Sequence, residues 1–176
     1  LDFRYTLNML IRKLTLGPYA SNCYIIGDET TKQGMIIDPG AEPKEILRVV
    51  EKDGLKIELI VLTHRHPDHV GAAAPVKAAL KAPLASNSEC ARYLPQSPDY
   101  VYEKAFQGSP KPERILSDGD TFQIGKLNFK VLHIPGHTPC GISIFGEGHV
   151  FTGDTLFNYG IGRYDLIDGD YHALMH

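Results

Sequence analysis

The sequence has few cysteines and no excess of positive charge. Its three cysteines, Cys23, Cys90 and Cys140, are odd in number, which excludes a disulfide framework as the source of stability. That usage suits a reducing compartment, and a cytoplasmic protein is the expectation. Lys and Arg total 18 against 21 Asp and Glu, for a formal net charge of −3. A basic footprint for a phosphate backbone is therefore lacking, and nucleic acid is not an expected partner. No apolar run is long enough to span a bilayer, so no membrane association is expected. No charged-then-apolar leader opens the sequence. Neither a repeat nor a low-complexity tract nor a linker interrupts it. At 176 residues, 43% hydrophobic and 22% charged, the expectation is a single domain over residues 1–176 that needs no staples. The first residue is Leu1, and Asp170 to His176 reads as the opening of a helix. Both suggest a piece of a somewhat longer polypeptide.

What is present is an alternation of Val/Ile-rich runs with helical stretches. Cys23 to Gly27 and Gly34 to Asp38 read as strands joined by a polar turn. Pro43 to Lys52 carries Ile46, Leu47, Val49 and Val50 at helical spacing, with Gly54 just beyond. Ile57 to Leu62 is a buried strand. Val70 to Lys81 is Ala-rich and helical, with Pro75 expected to kink or divide it. Pro83 to Ala85 reads as a short strand and Glu89 to Leu94 as a helical turn. Pro95 to Glu113, rich in proline, reads as a long irregular loop. It either packs on itself or lays Tyr100, Tyr102 and Phe106 over a cleft. Thr121 to Ile124, Leu127 to Ile134, Ile142 to Phe145 and Val150 to Thr152 then read as strands. Gly125-Lys126 and Gly146-Glu147-Gly148 mark the turns. Two packed sheets with helices outside account for this order.

The chemistry concentrates in Thr63-His64-Arg65-His66-Pro67-Asp68-His69. It places four potential metal ligands, His64, His66, Asp68 and His69, within six residues at the end of the buried strand. Imidazole nitrogen and carboxylate oxygen suit zinc, iron or manganese. In an extended segment His64 and His66 point the same way and can clasp one ion. Asp68 and His69 follow where the chain turns into a helix, and can face a second. Three more strand ends carry His or Asp beside Gly or Pro: His137, Asp154 and Asp38. Asp154 has two oxygens to share between two cations, which at about 3.5–4 Å apart can clamp one displacement. The residues alone thus point to a metal-dependent hydrolase. His133, His149, His172 and His176 are expected to be ordinary hydrogen-bonded polar residues.

The Thr63–His69 segment is similar to the T-H-x-H-x-D-H signature of the metallo-β-lactamase superfamily. Asn22-Cys23-Tyr24, Ile37-Asp38-Pro39-Gly40, Pro135-Gly136-His137-Thr138-Pro139, Gly153-Asp154-Thr155-Leu156-Phe157 and Gly162-Arg163-Tyr164-Asp165-Leu166 match in order. Within that superfamily the chain most resembles the short glyoxalase II-like branch, relatives of hydroxyacylglutathione hydrolase. The resemblance implies an α/β fold of αββα four-layer type, truncated at the C-terminus. It implies a first metal on His64, His66 and His137, and a second on Asp68 and His69, with Asp154 bridging. Zinc is the expected metal, one or two ions per chain, with iron or manganese as alternatives. Hydrolysis of a small-molecule thioester by a metal-bound hydroxide is the implied activity, with Asp68 as the catalytic residue. Asp38 is expected to orient a ligand histidine. Arg163 and Asp165 either brace the site as an ion pair or contact a substrate carboxylate.

Three departures accompany the resemblance. The family supplies a further histidine in a Gly-His-Gly segment beyond the helix begun at Asp170, and this sequence holds none. Cys140 stands where the family commonly has glycine; its thiol either packs, approaches the site or becomes oxidised. No counterpart of the glutathione-gripping helical domain of the longer glyoxalases is present. The alternative enzyme is a persulfide dioxygenase-like protein with one iron on His64, His137 and Asp154. The alternative of another class is a non-catalytic metal-binding module. The sequence does not specify an oligomeric state.

Overall fold

A computed structural model describes residues 8–92, 110–166 and 168–176. The expected loop over Pro95 to Glu113, with its three aromatics, lies almost wholly outside the described residues.

The chain opens with β1 (Met9–Leu16), β2 (Ser21–Asp28) and β3 (Gln33–Ile37), followed by α1 (Pro43–Asp53) and β4 (Lys56–Leu62). Two short helices, α2 (Pro67–Val70) and α3 (Ala73–Leu80), lead to β5 (Leu84–Ser86), α4 (Ser88–Arg92) and β6 (Arg114–Ile115). β1 to β6 form a six-stranded mixed sheet in sequence order. β1–β2–β3 pair antiparallel, and β3–β4–β5–β6 pair parallel. The parallel pairs β3–β4 and β4–β5 need crossovers, which α1 and the α2–α3 pair supply. β7 (Thr121–Ile124), β8 (Leu127–His133), β9 (Ile142–Gly146) and β10 (His149–Phe151) form an antiparallel sheet in the order β10-β9-β8-β7. β11 (Leu156–Phe157) and β12 (Gly160–Ile161) make a small hairpin, and α5 (Tyr171–Leu174) follows.

Side-chain alternation explains the layering. On β4, Ile60 and Leu62 join an apolar cluster with Ile46, Val50 and Val76 of α1 and α3, while Leu59 and Val61 join a second cluster. That second cluster also takes Phe122, Phe129, Val131, Ile142 and Ile144 from β7 to β9, so it fills the space between the sheets. A strand buried on both faces reads as a continuous apolar run, as Leu59 to Leu62 does. β8 is buried on one face only, and it alternates Leu127, Phe129 and Val131 with exposed Asn128 and Lys130. Helices, sheet and sheet follow in the order of the expected sandwich, and α5 packs Leu174 against Gly136. No helix of the described residues is long and apolar enough to cross a membrane.

Two local expectations change. The helical stretch after β4 divides at Gly71–Ala72, not at Pro75. Pro75 lies in the first turn of α3, where a missing N–H costs no helical hydrogen bond. β1 is a full edge strand that the strand signals did not mark.

Candidate metal centre

β4 ends where the site begins. Asp38, just after β3, adopts φ 53 and donates its N–H to the Val61 carbonyl at 2.9 Å. Its side chain, 2% exposed, then receives three hydrogen bonds. The Thr63 N–H donates at 2.7 Å, the Thr63 hydroxyl at 2.6 Å and His69 Nδ1 at 2.9 Å. A non-glycine left-handed residue before proline is sparsely populated, and it survives here because these bonds over-determine it. Asp38 thus orients His69 and fixes the strand end from which His64 projects. Gly40 brings α2 close: a Cβ there would lie 1.7 Å from the Asp68 carbonyl oxygen. Only glycine lets the turn approach the helix that carries Asp68 and His69.

The hydrogen-bond network assigns the imidazole tautomers. Thr63 gives its one hydroxyl proton to Asp38, so its oxygen accepts from His64 Nδ1 at 3.1 Å. His137 Nδ1 donates to the Arg163 carbonyl at 2.7 Å. Both rings therefore present a bare Nε2. The two Nε2 atoms lie 3.1 Å and 3.0 Å from His66 Nδ1. Two lone pairs aimed at one nitrogen cannot both be well satisfied by a single proton, whereas a cation would satisfy all three rings. His64 and His137 are buried, and burial lowers the pKa of His64 well below normal, helped by the neighbouring imidazoles. Burial and His137 push His66 down to about 4. His64 and His66 are thus neutral at neutral pH, the protonation state that a metal requires.

The adjoining group is charged. His69 Nε2 is buried without a hydrogen-bond partner, 3.1 Å from Asp154 Oδ1 and 3.4 Å from Asp68 Oδ2. Burial opposes a charge on His69, but Asp38, Asp154 and Asp68 outweigh it and push its pKa well above normal. Burial also works against ionised Asp68, yet His69 and the Ser21 hydroxyl hold its carboxyl well below the usual range. Asp154, likewise disfavoured by burial and by Asp68, is held low by His69. A lone pair set between two carboxylates calls for a positive charge, either a proton on His69 or a cation. The donor set fits a metal: His64, His66 and His137 offer ligand atoms within 4.8 Å of one another, as do Asp68, His69 and Asp154.

All six expected ligands therefore meet at one edge between the sheets. The groups face a cleft of about 770 Å³ whose walls include Tyr19, Ser21, Phe157, Ile161, Arg163 and Leu166. Arg163 and Asp165 form an exposed ion pair at 2.9 Å and 3.0 Å. The Arg163 main chain, not its guanidinium, reaches a ligand. Gly162 makes that contact possible, since a Cβ there would lie 1.8 Å from the Asp154 carbonyl oxygen. Cys140 is fully buried in the apolar cluster beside α4, with Thr138 Oγ1 at 3.5 Å. His133 and His149 donate to the Pro139 and Glu147 carbonyls, each at 2.9 Å. Sequence reasoning missed Ser21, Thr63 as a tautomer-setting residue, and the Arg163 carbonyl.

Comparison with known proteins places this geometry. The family described as the metallo-beta-lactamase superfamily matches residues 16–176. Hydroxyacylglutathione hydrolase GloC of Haemophilus influenzae is 35% identical over 176 residues, covering 95% of this chain and 81% of that protein. The crystal structure of TTHA1623 in a di-iron-bound form is 37% identical with a TM-score of 0.78, covering 93% of this chain and 82% of that one. The structure of ETHE1 from Myxococcus xanthus is 30% identical with a TM-score of 0.77, covering 94% and 66%.

Proposed function

The chain belongs to the metallo-beta-lactamase superfamily, in its glyoxalase II-like branch, and on that premise we propose that it hydrolyses thioesters at a two-ion centre. The observation that carries this reading is the pair of adjoining ligand groups on one cleft wall. His64, His66 and His137 would hold the first ion and Asp68 and His69 the second, with Asp154 available to both. Zinc is the first choice, with iron or manganese accepted by the same donors. Ions held there would lower the pKa of a bound water and polarise the substrate carbonyl. Asp68 orients the attacking water from the cleft wall, its carboxylate fixed by Ser21 and His69. His137 and His64 are kept as acceptors by the Arg163 carbonyl and Thr63, so no ring wastes its lone pair. Every imidazole and carboxylate among the described residues lining the cleft belongs to the two groups. That leaves no dedicated carboxylic or imidazole acid, which suits a leaving thiolate because it needs no protonation. The relative named as a hydroxyacylglutathione hydrolase supports the same substrate class.

The test is a thioester panel assayed with metal-loaded protein and with Asp68→Ala. Hydrolysis by the parent and its loss in the variant are expected. A variant that hydrolyses as well as the parent would refute the assignment of Asp68. The dioxygenase-like reading draws support from the ETHE1 neighbour and from the 3.7 Å approach of His137 Nε2 to Asp154 Oδ2. It leaves His66 without a task, although His66 Nδ1 lies closer to both other rings. Oxygen uptake with glutathione persulfide, and no thioester turnover, would favour it. A protein that binds metal and turns over neither substrate would favour the non-catalytic module.

A further inference from the structure

Ser21 opens β2 opposite Leu16 of β1, so main-chain pairing fixes its backbone while its side chain lines the cleft. Its hydroxyl lies 2.5 Å from Asp68 Oδ2, a length typical of a charge-assisted O–H···O⁻ bond. An ionised Asp68 only accepts, so Ser21 spends its single proton on that oxygen. The same Oδ2 is the one nearest His69 Nε2, at 3.4 Å. Asp68 also shares its group with Asp154, a like charge. The Asp68 side chain keeps 14% exposure, enough to swing toward the water of the cleft. The Ser21 hydroxyl supplies a hydrogen bond from outside the ligand set that opposes this swing.

We propose that Ser21 is a positioning residue for the second ion: its hydroxyl holds the Asp68 carboxylate against repulsion by Asp154, so that Asp68 Oδ2 stays with His69 and Asp154. The two halves share Asp38, which holds both Thr63 and His69. Beyond it, Thr63 and the Arg163 carbonyl set His64 and His137, whereas Ser21 sets Asp68. Strand pairing uses main-chain groups, so the hydroxyl itself has no task in β1–β2 association. The inference rests on the two-ion reading above and does not depend on the substrate.

The experiment titrates chelator-stripped protein with zinc in competition with a chromophoric chelator, for the parent, Ser21→Ala and Ser21→Thr. Thermal melting of the stripped proteins runs alongside. The parent is expected to take two zinc ions. Ser21→Ala weakens the second by about 10–100-fold, the usual cost of removing an outer-shell partner. The first ion's affinity and the melting midpoint stay as in the parent, and Ser21→Thr restores the second ion. Equal affinities for both ions in Ser21→Ala and parent would overturn the proposal alone. Equal weakening of both ions with a lowered melting midpoint would also overturn it, by showing a structural role. A parent that binds one ion only would overturn the two-ion reading and this inference together.

Discussion

The two halves of the centre are held together by different forces. Around His64, His66 and His137 the donors are imidazole nitrogens, and burial keeps the first two rings uncharged. Around Asp68, His69 and Asp154 the donors are two carboxylates and a ring whose buried Nε2 has no hydrogen-bond partner. The nitrogen half can therefore stand without a cation, at the cost of crowded lone pairs. The acidic half cannot stand without a positive charge, because two carboxylates would otherwise face a lone pair. The lesson is that one cluster of sequence neighbours, His64 to His69, serves two electrostatically opposite sites. The turn at His66–Pro67 divides them.

The largest effect that would break or sharpen this contrast is that of Asp68→Ala. Loss of metal-assisted charge stabilisation costs several kcal/mol, so thioester hydrolysis should fall by about 10²–10⁴-fold. The nitrogen half should keep its ion in that variant, which metal analysis of the purified protein checks. Acid should come next. In stripped protein the folded pKa of His66 is about 4 against an ordinary 6.5. The unfolded chain therefore takes up the proton first as pH falls, and stability is lost between about 6.5 and about 4, by about 3 kcal/mol from this ring. His69 has a raised pKa, so its contribution is complete below 6.5 and declines only as pH rises. It does not cancel the loss in that window. Urea melts at pH 7 and at pH 4.5 measure the difference; equal midpoints would mean that the nitrogen half is not held neutral. The smallest effect belongs to Arg163→Ala. Its guanidinium pairs with Asp165 in the open, and exposed pairs contribute little. kcat and KM should stay near the parent values, because the carbonyl that sets His137 remains. A large rise in KM would instead place the guanidinium on the substrate.

Much of this arrangement is legible in the sequence, for physical reasons. β4 announces itself because a strand buried on both faces must be apolar throughout. The ligands announce themselves because three histidines and an aspartate packed so closely are costly to bury unless a cation binds them. β1 is harder to read: Arg12 and Lys13 interrupt its alternation, and Arg12 pairs with Asp53 at 2.8 Å, a partner invisible in the local pattern. The supports are harder still. A serine at a strand end carries no periodic signal, and Ser21 meets Asp68 only after the sheet and α2 are assembled. The Arg163 carbonyl is a main-chain group that every residue possesses. Only Gly162 beside it hints at a close approach. Pro75 misled because proline breaks a helix interior but is tolerated in a first turn.

The most direct test of the account is metal quantification on active protein, with thioester hydrolysis and oxygen uptake measured on the same sample. Two ions per chain with thioester hydrolysis and no oxygen uptake is the expected result. One iron per chain with oxygen consumption on a persulfide substrate would contradict it.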